Sequence, residues 1–369
     1  MRAYWLCDAR TGDKLARVMP SDGAFKRVLC GSGSGHHTFR LGIGKRTRNQ
    51  WRALTQPWAR ALLIEEDGQA IYVGLIAKRP YKWKVWSITI THVDYREVFR
   101  RRYPFGIKSY WADELLRVPG KLVITGKSWR AAAAIVAREC LLGPTNTYSL
   151  PIALPSTTEA GDATVTYENY LFRSGYDIFE DIQNLDGGPD IDFRPRLTST
   201  GFELVMDVGS VPTPHLIKQS ADFNMTVPHP VLLDVSYDED ATNQLTGIFS
   251  VGAGSEVDMA VGGRGFDEAS TIPALDVVET HKAESDIPRL AALSAAALPV
   301  LGQPTVQVDF SLVSTAKHNA ATMPVGSMAR MYFKDDPWIP DGWTEARVIA
   351  VAGSTGRKIQ FETQPLVGA

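Results

Sequence analysis

Cysteine is scarce in this chain, with three among 369 residues: Cys7, Cys30 and Cys140. The count is odd, the spacing is wide and no CxxC pair occurs. Neither a disulfide framework nor a zinc site is indicated, and folding in a reducing compartment is the expectation. Long apolar runs are also missing. The most apolar helical stretch, around Ala131–Ala137, falls far short of a membrane span. The chain turns polar within its first ten residues, too soon for a secretory leader, and Leu6-Cys7 fails as a lipoprotein site for the same reason. No export signal or membrane anchor is expected.

Catalytic signatures are equally sparse. The seven histidines include no HExxH helix and no H-x-H pair, and no Gly-x-Ser-x-Gly elbow surrounds any serine. Gly126-Lys127-Ser128 resembles the end of a phosphate-binding loop, but the full pattern needs glycine where Lys121 stands. A strand-to-helix turn with a serine cap explains those residues equally well. Gly252-Ala253-Gly254 lacks the following helix of a dinucleotide fingerprint. Asp234, Asp238, Glu239 and Asp240 cluster without the spacing of a calcium loop and read as a solvated turn. His36 and His37, after the glycine-rich run Gly31–Gly35, would point to opposite sides of a strand and make a poor metal pair; a flexible surface loop accounts for them. Paired carboxylates for glycoside hydrolysis carry no weight among 41 acids. No catalytic, cofactor-binding or metal-binding residue is assigned.

What the chain does have is an ordinary globular mixture, 44% hydrophobic and 22% charged, with 31 Gly, 22 Pro and nine Trp. This favours short strands and many turns. The length allows two or three domains. The net charge is only −2 but is unevenly spread. Residues 1–140 hold 26 basic and 11 acidic residues, and the remainder 13 and 30. Such a split marks either a polyanion-binding surface or two surfaces that face each other across a subunit contact. The basic residues are scattered along strands, with only Arg100–Arg102 forming a run, which favours the second.

Periodicity predicts β structure for residues 1–105. Two β-prone runs flank Asp67-Gly68, the strongest short hairpin signal, because both residues tolerate positive φ. A third strand is expected over Trp83–Thr91, with Trp51, Trp58, Trp83 and Trp86 serving as core. Residues 93–99 read as a short turn of helix. Residues 106–222 read as α+β. Helices are expected over Ser128–Cys140, stopped by Gly143-Pro144, and over Ser174–Asn184, followed by strands near 190–196 and 202–208. Residues 223–369 return to strands near 231–237, 245–251, 330–333, 345–352 and 358–363. A glycine-rich segment covers 252–265, and a short helix near 291–301 is capped by Ser285-Asp286.

Four places resemble a known family in their order along the chain. They are the Arg60–Ile90 meander with Asp94-Tyr95 and Arg100–Arg102; the helix and hairpin of Tyr170–Val208; Thr242–Leu245 leading to Gly252–Gly254; and Pro324–Arg330 followed by Ala346–Val351. Together they resemble the tail-tip or baseplate hub proteins of long-tailed phages, the tail-associated or minor tail proteins, and are similar to those of actinobacterial siphophages. The resemblance implies a mainly β fold with an α+β insert: a first small β-barrel over 1–120, a mixed α/β middle region over 121–222, and a second barrel over 223–369 with a short helical insert.

It also implies a homotrimer whose six barrels ring the tail axis, joining the hexameric tube to the threefold tip and letting DNA pass. The implied partners are the distal tail protein, the tape-measure protein and the tip or fibre proteins. The implied location is the virion, after assembly in the host cytoplasm. No cofactor and no enzymatic activity are implied. A lumen that DNA slides through should not grip phosphates, so the acidic second half is expected to face the lumen and the basic first half the neighbouring proteins. The rival readings are a tail-associated cell-wall hydrolase and a peripheral receptor- or carbohydrate-binding module.

Overall fold

The computed structural model describes residues 2–42, 46–104, 120–142, 148–185, 187–210, 212–265, 272–281 and 285–364. The chain folds as two compact units. One runs through Asp234 and resumes over Phe310–Thr363; the other is built from Val235–Asp309.

The first unit is dominated by a large sheet whose pairing is antiparallel almost throughout. Its central path places Gly342–Ser354 beside Asp22–Val28, then Ser34–Arg40, Ser87–Val93, Gln69–Lys78, Arg60–Glu66, Arg2–Asp8 and Lys14–Val18. The Asp67-Gly68 hairpin forms as expected, with φ of 48° and 79° at its two turn residues, the geometry that matches strand twist. Strand Asp22–Val28 buries Phe25, and Gln69–Lys78 buries a continuous run from Ile71 to Ile76.

The fold class is mainly β with an α+β middle, as expected, while no sheet closes as a barrel among the described residues. The reason lies in one 13-residue strand, Gly342–Ser354. Its first half pairs with Met328–Phe333 and its last five residues pair with Asp22–Val28. Early and late parts of the sequence therefore continue one sheet.

The α+β middle packs the helix Trp129–Leu141 against the helix Gly175–Gln183 and two small sheets. Ser128 caps the first helix, and Ser174 with Asp177 forms a reciprocal capping box on the second, which satisfies N–H groups that helix ends leave open. The alanine run Ala131–Ala134 is fully buried. Small side chains there let the helix approach Phe99, Phe179 and Phe193, whose rings pack edge-on, stacked and tilted with centroids 5.1–6.2 Å apart. Burying each ring stabilises by about 2–3 kcal/mol. The stop expected at Gly143-Pro144 lies outside the described residues.

The second unit holds a three-stranded sheet, Val261–Gly265, Gly247–Val251 and Asp276–Thr280, covered on one face by the helix Ile287–Leu301. The strand Val261–Gly265 falls within the segment read from sequence as glycine-rich. Its glycines let the helix lie close against it: a Cβ on Gly262 would strike the helix backbone at Ala291, Ile287 and Leu290. Ile248 and Leu290 are buried between the layers, and the hydroxyls of Ser250 and Ser294 meet at 2.8 Å.

Candidate functional site

Gly31–His37 does not form a surface loop. The strand Ser34–Arg40 takes its last residues, with His36 exposed and His37 fully buried. Pairing with two neighbours fixes its register (Thr38↔Asp22, Thr38↔Thr89), so alternate side chains must point inward. His37 Nδ1 lies 2.9 Å from His92 Nε2, and His92 Nδ1 lies 2.8 Å from the Tyr72 hydroxyl. Glycine makes room for this stack. A Cβ on Gly35 would meet His92 Cε1 at 2.5 Å, and one on Gly74 would meet Tyr72 Oη at 2.5 Å and His92 Nδ1 at 2.9 Å. Burial pushes the His37 imidazole down to about 3, and burial with the neighbouring His37 and His36 pushes His92 well below its usual value. Both rings are therefore neutral structural groups at physiological pH.

A second interior cluster is ionic. Asp192 is nearly inaccessible and sits 2.6 Å from Arg27 and 2.7 Å from Lys218. Burial alone would raise its carboxyl; the two cations outweigh that and hold it at about 2. Asp190 pairs with Arg347 and accepts from the Leu216 amide and the Cys30 thiol. These groups adjoin a cleft of about 940 Å³. Its other cations are paired as well: Arg194 with Asp207 at 2.8 Å, Arg196 with Glu203 at 2.7 Å. Paired cations offer little free charge to a ligand, so the cluster is read as a clamp that fixes strands to one another.

The cysteine thiols are held protonated. Burial raises Cys7 and Cys30 to about 12 and Cys140 further, and a thiol in that range carries no thiolate at neutral pH. Gly126-Lys127-Ser128 is the strand-to-helix turn, with Gly126 at φ 65° and Ser128 as the cap. Among the described residues no group of three or more His, Cys, Asp and Glu is arranged to hold a metal. Asp234, Asp238, Glu239 and Asp240 lie exposed along the strand Leu232–Asp240, not in a turn, and Asp234 pairs with Lys358.

The tryptophans divide. Trp51 is buried against Phe39, as expected. Trp58, Trp83 and Trp86 are 40%, 72% and 60% exposed, where core positions were expected. The alternation that suggested a strand over Trp83–Thr91 breaks at Trp86, which adopts left-handed backbone (φ 47°, ψ 49°) and ends a short 3-10 turn over Trp83–Val85. Strand structure begins only at Ser87. The Trp86 carbonyl accepts from the Leu41 amide, which holds the ring out on the surface.

Trp86 thereby walls a pocket of about 670 Å³ with Arg46, Arg48, Arg52, Arg79 and Tyr81. The helix Arg48–Leu54, started by Thr47 in a capping box with Gln50, presents Arg48 and Arg52 one turn apart. Arg46 sits 5.5 Å from the Trp51 ring centre, and Arg79 is tied to the Arg52 carbonyl at 2.6 Å. Among the described residues no carboxylate lines this pocket. The signal was present in the sequence: no Asp or Glu occurs between Asp22 and Glu65, nor between Asp67 and Asp94. A charge total for half of the chain hides such a local gap.

The second unit exposes apolar surface on the sheet face turned from its helix. Phe249 and Val278 are register partners and are 47% and 63% exposed.

No family model matches this chain, and no curated protein matches it. Solved structures do. The tail protein from Neisseria meningitidis MC58 superposes with a TM-score of 0.60 at 13% identity, over 99% of this chain and 97% of that one. The 43 kDa tail protein of prophage MuSo2 from Shewanella oneidensis gives 0.60 at 9% identity, covering 98% of each chain. A chain of the Francisella PdpA–VgrG complex in its half-lidded form gives 0.54 at 7% identity, over 100% of this chain and 59% of that one. The fold is thus that of phage tail proteins, a likeness that runs through nearly the whole length of the first two.

Proposed function

We propose that this chain is a structural subunit of a phage tail tip, a hub of three copies arranged as a ring around the path of the DNA, and that it is not an enzyme. The observation that carries this reading is full-length likeness of fold to two tail proteins. The chemistry is in keeping with it. The buried His37–His92–Tyr72 and Arg27–Asp192–Lys218 groups hold one another, the thiols are protonated, and the surface carries a cationic aromatic pocket and an apolar sheet face. Such surfaces suit permanent contacts between subunits. The partners proposed are a second and third copy, and tail-tube, tape-measure and tip proteins on either side; the place of action is the virion tail, after assembly in the host cytoplasm. The acidic second unit is proposed to supply the wall facing the DNA, because carboxylates repel phosphate.

The test is native mass by light scattering across a concentration series. The monomer is 40.5 kDa, and the reading expects a species of three times that mass at high concentration. A monomer at every concentration would contradict it.

A further inference from the structure

The pocket between Arg48, Arg52 and Trp86 is a concentration of positive charge with no carboxylate among the described residues that line it. Among the described residues Arg48 and Arg52 form no ion pair, and Arg46 and Arg79 bond to carbonyl and hydroxyl oxygens, not to carboxylates. Guanidiniums left this way are open to an anion. The wall opposite is aromatic, so the ligand should carry apolar or planar parts beside its charges.

The complementary surface lies on the same sequence. Val235–Asp309 holds 12 acidic and three basic residues. On the strand Leu232–Asp240, Asp238, Glu239 and Asp240 are exposed at the end of the run, and Tyr237 precedes them. Alternate residues of a strand share a face, so Asp238 and Asp240 project together, about 7 Å apart along the strand. Arg48 and Arg52 stand four residues apart on a helix, about 6 Å apart along its axis. Two carboxylates on one face of a strand thus match two guanidiniums on one face of a helix in both charge and spacing.

We infer that the Arg48–Arg52–Trp86 pocket of one copy receives the Asp238–Asp240 strand end of a second copy. The inference rests on the ring reading above and names the contact that closes it. One surface meets a different surface on the next copy, and repetition of such a head-to-tail contact generates a closed ring when the rotation is right. The other carboxylates of the acidic unit remain available to face the passage. A single-stranded nucleic acid would also suit Arg beside Trp. It is the weaker fit, because the site is one pocket on a short helix and not a groove that tracks a backbone.

The experiment uses the full chain in four forms, with mass read by light scattering as a function of concentration and of salt. They are the wild type, Arg48→Glu with Arg52→Glu, Asp238→Lys with Asp240→Lys, and the chain carrying all four changes. All four positions are exposed, so folding should survive; Arg48→Gln with Arg52→Gln is the milder substitute, with thermal unfolding as the control. The dissociation concentration should rise at least tenfold in each half-reversed chain and return to within about threefold of wild type in the fully reversed one. High salt should dissociate the wild type. An oligomeric wild type with unaffected half-reversed chains would overturn this contact and leave the ring reading standing. A wild type that never associates would overturn the ring reading and this contact with it. Loss in both half-reversed chains without recovery in the fourth would overturn the pairing. Unchanged mass with lost binding of a thymidine oligonucleotide would make the pocket a nucleic-acid site and overturn the inference.

Discussion

His37 and His92 stack inside the main sheet with ring planes 26° apart, joined by a 2.9 Å contact between Nδ1 of the first and Nε2 of the second. Their folded pKa values lie below those of an unfolded chain, for His37 at about 3. Below pH 6.5 the unfolded state therefore binds more protons, and their contribution to stability is lost as pH falls from about 6.5 toward 3. Replacing His37 by Phe keeps a ring and removes one titrating group, and also the His37 Nε2 atom that has no bonding partner. Urea midpoints between pH 7 and 4.5 should fall less steeply in this variant; an unchanged slope would contradict the assignment.

Two buried aspartates should act in opposite directions. Burial raises Asp94 to about 6, partly offset by the Arg96 amide and by Arg27. The folded state then holds its proton longer than the unfolded one, so this group lowers stability as pH rises from about 4 to 6. Asp94→Asn keeps the cap to the Arg96 amide and should flatten that decline. In the wild type this trend opposes that of the histidines over part of the same range, which is why each substitution, and not the wild-type curve alone, is the readout.

Asp192 is the reverse case. Its carboxyl is held at about 2, so its contribution is present above about pH 4 and lost as pH falls toward 2. Arg27→Met leaves this buried charge with Lys218 alone and should cost about 3–5 kcal/mol at pH 7, measured by denaturant unfolding. A loss under about 1 kcal/mol would mean that the pair is not a clamp.

Gly74→Ala should destabilise by about 1–3 kcal/mol, because the added methyl meets both Tyr72 Oη and His92 Nδ1 in a closed interior. Gly187→Ala serves as the contrast. Gly187 has no atom near its would-be Cβ, so any loss at that site reflects its positive φ alone.

Trp86→Gly separates stability from assembly. Left-handed backbone costs a non-glycine residue about 1–2 kcal/mol, and Trp86 buries little in return. The variant monomer should be as stable as the wild type or slightly more so, while self-association weakens. A variant that unfolds readily would show that the ring is structural.

The hairpin at Asp67-Gly68, both serine-capped helices and the return to strands after residue 223 were legible because their signals are local: turn chemistry, caps and helical spacing. The open sheet was not, because the pairing of Ala350–Ser354 with Ala24–Val28 joins segments more than 300 residues apart. The exposed tryptophans were misjudged because hydrophobicity alone cannot tell a core ring from a docking ring; the left-handed backbone at Trp86 decides it. His37 was hidden for a related reason, since the space that admits it comes from Gly35 and Gly74, on different strands. The cationic pocket was half legible, as a long stretch free of acids whose cations are gathered in space by one short helix and one turn.

The account is tested most directly by negative-stain averages of the concentrated protein. It predicts rings with threefold symmetry and an axial opening. Isolated single copies, or two-fold dimers without an opening, would contradict it.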